Sequence, residues 1–377
     1  MTRRERLMAT LQGQPVDRPA VSFYEIGGWR MDPSEDDFTV WNDPSWRPLV
    51  QLAHEETDLI RMVSPQRTGD SGDGLSALAD HQRWLEGDSR FERTEIRTPS
   101  RSLTALTRRD RATQTVWTVE HLLKDLADVE AYLQLPEATP GTVDVASMLA
   151  EEELLGDTGI VSVDVSDALC QAAGLFSMED YTVVAMTEPR LFHRLLERFA
   201  RQVMRECEQI CEVFPGRLWR IYGSEYASEP YLPPGLYREY VLRYTGQIIK
   251  TIQKHGGFAR IHSHGRLRNI LPVIAEMRSD ALDPLEPPPQ GDMELWEIKQ
   301  AVGQEIVLMG NIEVADIEHL RPAEFEQKVV RALREGMSGT GRGFVLHPSA
   351  CPYGRSIGAQ TMANYETMLR LARDFSG

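Results

Sequence analysis

Two histidines, His262 and His264, are the residues of this sequence whose type and spacing point most directly to chemistry. In an extended chain residues i and i+2 face the same way, so both imidazoles can reach one centre. Two such imidazoles and a thiolate suit Zn²⁺, which favours tetrahedral N/S coordination and keeps one position open in catalytic sites. Cys351 is the one cysteine expected in a strand-end loop, so His262, His264 and Cys351 are the expected metal ligands. Glu225 is read as a fourth ligand or as an acid–base group beside them. The competing reading keeps the histidines as hydrogen-bonded site residues without metal and makes Cys351 incidental. A second acid, Asp283, opens the proline-locked stretch Asp283-Pro284-Leu285-Glu286-Pro287-Pro288-Pro289, whose stiffness suits a general base. Arg266, where the pattern predicts a helix start, is a candidate partner for an acidic substrate group. Tyr222, Asn311 and Glu25 complete the candidate substrate contacts.

These residues need a scaffold that brings distant segments together. Short apolar runs recur at Ala20–Tyr24, Asp58–Met62, Gly159–Asp164, Leu218–Tyr222, Phe258–His262, Asp280–Asp283, Glu305–Met309 and Gly343–His347. Most are followed by helical periodicity, as in the helix opened by Pro189 and in Leu236–Lys254. Eight β-like runs alternating with helices predict an α/β fold, a single (β/α)₈ TIM barrel over residues 1–377. Catalytic groups of such a barrel lie at the C-terminal strand ends. That is where Glu25, Glu225, His262, His264, Asp283, Asn311, His347 and Cys351 fall. The stretch 64–157 breaks the alternation and reads as an insertion with connecting helices. Within it Thr94–Arg97 and Thr115–Thr118 predict a β-hairpin between the second and third strands. Arg108-Arg109-Asp110-Arg111 reads as a solvated hairpin tip, and Met31–Trp46 as an acidic surface loop.

Composition narrows the class of partner. The 377 residues carry 41 Lys+Arg against 57 Asp+Glu, a formal net charge of −16. Nucleic-acid binding needs a basic face, so this balance argues against it. A polyanionic substrate would also need a local cationic patch. Four scattered cysteines form no disulfide framework, and no apolar run reaches membrane-spanning length. A soluble cytoplasmic enzyme acting on a small molecule is expected.

Several stretches resemble the uroporphyrinogen decarboxylase superfamily. They are Arg4–Gly13 with Pro15-Val16-Asp17-Arg18-Pro19, Glu120–Leu126, Pro234–Val241, His262-Ser263-His264-Gly265, Asp280–Pro287 and Met309-Gly310-Asn311-Ile312. The resemblance runs nearly end to end and implies one (β/α)₈ barrel. It implies two chemistries. The decarboxylases bind a tetrapyrrole with an arginine-rich motif after the first strand, but here Glu25-Ile26-Gly27-Gly28-Trp29 stands there. The other branch comprises zinc-dependent methyltransferases with a His-x-Cys pattern and a later cysteine. This chain is similar at His262 and Cys351, with His264 in place of the first cysteine. The resemblance therefore implies a zinc-dependent methyltransferase or demethylase working with a corrinoid carrier protein or a thiol. A metal-independent decarboxylase using Asp283 or Glu225, and a silent binding protein, are the alternatives. Family decarboxylases imply a homodimer and family methyltransferases a monomer.

Overall fold

All eight apolar runs lie in one parallel sheet of the computed structural model, which describes residues 1–32, 37–68, 78–137, 141–340 and 343–375. The strands are β1 (Ala20–Val21), β2 (Leu59–Val63), β3 (Gln66–Thr68), β4 (Ala79–Glu86), β5 (Ser89–Arg97), β6 (Ser102–Asp110) and β7 (Val116–Glu120). They continue with β8 (Thr142–Asp144), β9 (Gly159–Ser166), β10 (Leu218–Tyr222), β11 (Phe258–His262), β12 (Ala281–Asp283), β13 (Val307–Ile312) and β14 (Phe344–Pro348). The parallel sheet runs β1-β14-β13-β12-β11-β10-β9-β2. Its strands are short and mostly apolar, as expected where helices cover a parallel sheet.

Asp58 links the two ends of that order. Its N–H donates to the Val21 carbonyl at 2.7 Å, and its carboxylate accepts from the Val21 N–H at 2.9 Å. The same carboxylate accepts from Arg6 Nη1 at 2.6 Å and Arg18 Nη1 at 2.9 Å, while Arg6 also forks onto Asp17. Asp58 and Arg6 are both buried. Buried charges persist only when paired and hydrogen-bonded, and here each charge has its partner. The Arg6…Asp17-Arg18 stretch thus fastens the first strand to the second.

The helices follow their apolar stripes. In Pro189–Val213 the buried residues include Phe192, Leu195, Phe199, Val203, Cys207, Ile210 and Cys211, so the two cysteines pack as small apolar groups. The expected Leu236–Lys254 helix starts at Pro234 and carries a wider π turn over Arg238–Leu242 before Arg243–Lys254. The periodicity alone did not mark that turn.

The segment between β2 and β9 differs from a simple hairpin. Strands β4-β5-β6-β7 form an antiparallel sheet, and β3 pairs with β8. Thr94–Arg97 lies in β5 and Thr115–Thr118 overlaps β7, with β6 between them. Strand β4 was illegible because it is exposed along nearly its whole length and lacks apolar alternation. The arginine cluster is not a solvated tip either. Arg111 pairs with Asp37 at 2.8 Å, and the Arg90 and Arg111 guanidinium groups both lie 4.6 Å from the buried Phe38 ring. Phe38, Val40 and Trp46 anchor the segment read as an acidic loop, of which residues 33–36 lie outside the described residues.

Candidate functional site

The C-terminal strand ends carry a connected set of polar side chains. His262 closes β11 and is in register with Tyr222 of β10 and Asp283 of β12. Its Nδ1–H donates to Asp283 Oδ2 at 2.8 Å, which leaves Nε2 with a lone pair 3.5 Å from the Tyr24 hydroxyl. Tyr24 accepts from Arg220 Nη2, and Arg220 Nη1 donates to Asp164 at 2.7 Å. Beneath, Arg260 Nε lies 3.3 Å from Asp283 Oδ1. His264 repeats the motif further out. Its Nδ1–H donates to Glu286 Oε1 at 2.7 Å, and Glu286 Oε2 accepts from the Gly265 N–H at 2.6 Å. The two imidazoles stand 4.6 Å apart, nearly perpendicular.

Environment separates the two histidines. Burial pushes the His262 pKa down to about 3 despite Asp283, so its ring is neutral. Burial also acts on His264, but the Glu286 hydrogen bond and charge outweigh it and raise its pKa. Burial would raise the Asp283 pKa, yet Arg260, His262 and Arg220 hold it well below the ordinary carboxylate range. Glu225, after β10, is pushed up mainly by burial, and its Oε2 accepts from the Gly223 N–H at 3.1 Å. Gly223 has φ 117°, and a Cβ there would lie 2.2 Å from Cys170 Cβ. Only glycine allows the turn that presents Glu225. Gly310 is likewise required, since its Cβ would meet the Pro284 carbonyl at 2.2 Å, where β13 crosses the proline-locked loop.

The sequence profile of the uroporphyrinogen decarboxylase (URO-D) family matches residues 119–354, more than half of the chain. The chain belongs to the uroporphyrinogen decarboxylase family. Among solved structures it is similar to a methyltransferase from Methanosarcina mazei. That likeness has a TM-score of 0.61 at 14% identity and covers 98% of this chain and 99% of that one, a likeness of fold. No curated protein sequence matches the chain.

In this family member the expected site residues divide. His262, Asp283, His264 and Glu225 are brought together, the last two within electrostatic range of each other. Cys351 is elsewhere in its bonding. Its buried thiol hydrogen-bonds the Glu25 carboxylate, and burial with that charge pushes its pKa well up, which keeps the proton on sulfur. Among the described residues no group of three or more His, Cys, Asp or Glu is placed to hold a metal ion. The two carboxylate-bound imidazoles have the bonding of metal ligands, but the His262–His264–Cys351 set does not assemble in this arrangement. Glu25 sits in the left-handed region at φ 61°, a strained conformation for a non-glycine residue. Tyr222 is half-buried with the Arg220 guanidinium 4.9 Å from its ring centre. Arg266 is exposed and the following helix begins only at Leu271, so no helix N-terminus backs it. Asn311 borders a surface recess with Pro287, Glu294 and Lys328.

Tyr24, Arg220 and Arg260 were missed by sequence reasoning. A signal existed, because an arginine inside an apolar strand two residues before Tyr222 or His262 must share their face. Burying such a charge requires a partner, and Asp164 and Asp283 supply it.

Proposed function

We propose that the chain is a methyl-transferring enzyme of the uroporphyrinogen decarboxylase family, a demethylase that hands a methyl group from a small molecule to a corrinoid carrier protein. The observation that supports it best is the pair of carboxylate-bound imidazoles, one kept neutral by burial and one whose pKa its carboxylate raises, at a site edged by Glu225 and Glu286. The fold likeness to the Methanosarcina mazei methyltransferase agrees with this reading. The eight strands are taken as a closed (β/α)₈ barrel, which the Asp58 link between β1 and β2 favours.

The neutral His262 Nε2 accepts a hydrogen bond and orients the substrate. His264, whose pKa Glu286 raises, serves as the proton donor and gives its Nε2 proton to the methyl-bearing heteroatom. The carbon–heteroatom bond breaks with its electron pair going to that heteroatom, while a reduced corrinoid cobalt supplies the pair that forms the new bond to methyl. Decarboxylation of a tetrapyrrole fits poorly. The arginines at the floor are committed, Arg220 to Asp164 and Arg260 to Asp283, and the rim adds negative charge where a polycarboxylate needs positive.

The test sets two assays side by side. The purified protein is given cob(I)alamin with a panel of methoxy and methylthio compounds, and methyl–cobalt formation is followed by corrin absorbance. It is separately given uroporphyrinogen III. Methyl–cobalt formation lost in His264→Ala, with no carbon dioxide from uroporphyrinogen, supports the proposal. Carbon dioxide release that depends on Asp283 contradicts it.

A further inference from the structure

The antiparallel sheet β4-β5-β6-β7 has two sides of different character. Adjacent residues of a strand point to opposite sides, and residues paired across strands share a side. One side carries Ile96 of β5 and Leu103 of β6, which pair with each other and are buried in the core. The same side holds Arg90, whose guanidinium lies over the Phe38 ring. The register then fixes a row on the outer side. Trp84 of β4 pairs with Phe91 of β5, Phe91 with Arg108 of β6, and Arg108 with Trp117 of β7. The Trp84 and Phe91 rings stack 5.4 Å apart and 10° from parallel. Trp84 is 40% exposed and Trp117 50%. Tryptophan, phenylalanine and arginine are the residue types enriched where proteins meet, and here they stand side by side on an outward face.

Charge selects the occupant. Residues 79–120 hold eight arginines and no lysine against seven Asp and Glu, a net +1, so the rest of the chain carries −17 of the total −16. Two copies of so acidic a chain repel each other, and on this sheet that repulsion is absent. The row is also its own complement, because a two-fold axis can set Arg108 of one copy over Trp117 of the other. The face is preformed. The turn after β6 is hydrogen-bonded to the segment after β14, Gln114 N–H to the Tyr353 carbonyl at 3.2 Å and Arg355 N–H to the Ala112 carbonyl at 3.0 Å. Little ordering therefore opposes association. Strand spacing of about 4.8 Å and a rise of about 3.4 Å per residue give the four strands an outer face of roughly 500 Å². Two copies would bury about 1,000 Å², the size at which a specific but reversible contact begins.

We propose that two copies of the chain associate through the outer face of this sheet. Trp84, Phe91, Arg108 and Trp117 of each copy form the centre of a reversible two-fold contact. The proposal is independent of the methyl-transfer reading, since association is measured without turnover.

Sedimentation velocity of the full chain is the test. Over about 1–100 μM the wild type should pass from the 42.7 kDa chain to a species of twice that mass. Added salt screens the charge that each copy carries, so it should move the midpoint to lower concentration. Trp117→Glu should raise the dissociation constant about tenfold or more at unchanged Tm, and Trp117→Phe should keep the contact. Trp84→Ser, on the other edge strand, should act in the same direction as Trp117→Glu. Leu85→Glu is the control, because Leu85 is 61% exposed on the opposite side of β4, and it should leave association unchanged. A wild type monomeric throughout, a dimer loosened by salt, a dimer indifferent to Trp117→Glu and Trp84→Ser, or one lost equally in Leu85→Glu would overturn the proposal.

Discussion

His262 and His264 differ by two positions in sequence and by opposite pKa shifts, and the difference comes from what surrounds each ring. The spacing announced a shared face, and the structure adds that each ring is oriented by its own carboxylate. Cys351 could not be resolved in the same way, because its distance in sequence says nothing of which neighbour its thiol meets. If the imidazoles act without a three-ligand metal centre, activity should persist after dialysis against a chelator. Elemental analysis with the methyl-transfer assay checks this, and activity restored only by zinc would restore the sequence expectation. Asp167 gives a second prediction at this scale. Burial first, and the Glu225 charge with it, raise its pKa from 3.8 to about 7. A carboxyl whose folded pKa is raised contributes stability below its unfolded value and loses it as pH rises through about 7. Asp167→Asn cannot ionise, so between pH 4 and 8 its Tm should fall less with rising pH than that of the wild type. His262 and His347, both lowered to about 3, act in the opposite sense and lose stability as pH falls from 6.5. They are unchanged in the variant, so parallel melting curves for the two proteins would refute the account of Asp167.

At the scale of elements, the strands were readable because burial on both faces forces short apolar runs. Leu218–Tyr222 and Phe258–His262 coincide with β10 and β11 to the residue. Strand β4 was not readable, because its pairing with β5 holds it without an apolar face. The tie between the first two strands was also hidden. Its members, Arg6, Arg18 and Asp58, are far apart in sequence and look like surface charges until the fold buries them. Removing the carboxylate would take the shared acceptor from Arg6 Nη1 and Arg18, and leave the buried Arg6 guanidinium held by Asp17 alone. Asp58→Ala should therefore cost about 3–5 kcal/mol, the usual penalty for breaking a buried pair. Urea unfolding of wild type and variant measures it, and a loss within about 0.5 kcal/mol would show that the link is dispensable.

At the scale of the whole molecule, charge decides what can enter. The sequence balance of −16 already disfavoured a polyanion, and the structure locates further carboxylates at the strand ends. What could not be read in advance is which arginines are free, since that depends on the pairings of Arg220 and Arg260 across strands. No helix among the described residues is long and apolar enough to cross a membrane. The central claim is that His264 gives up a proton as the methyl group leaves, with Glu286 setting its pKa. The measurement that tests it most directly is the pH dependence of methyl–cobalt formation in wild type and Glu286→Gln. A group that must be protonated makes the rate fall as pH rises through its pKa. Because Glu286 raises that pKa, its removal should move the falling limb to lower pH. An unmoved limb, or a rate that rises with pH in both proteins, would contradict the role given to His264.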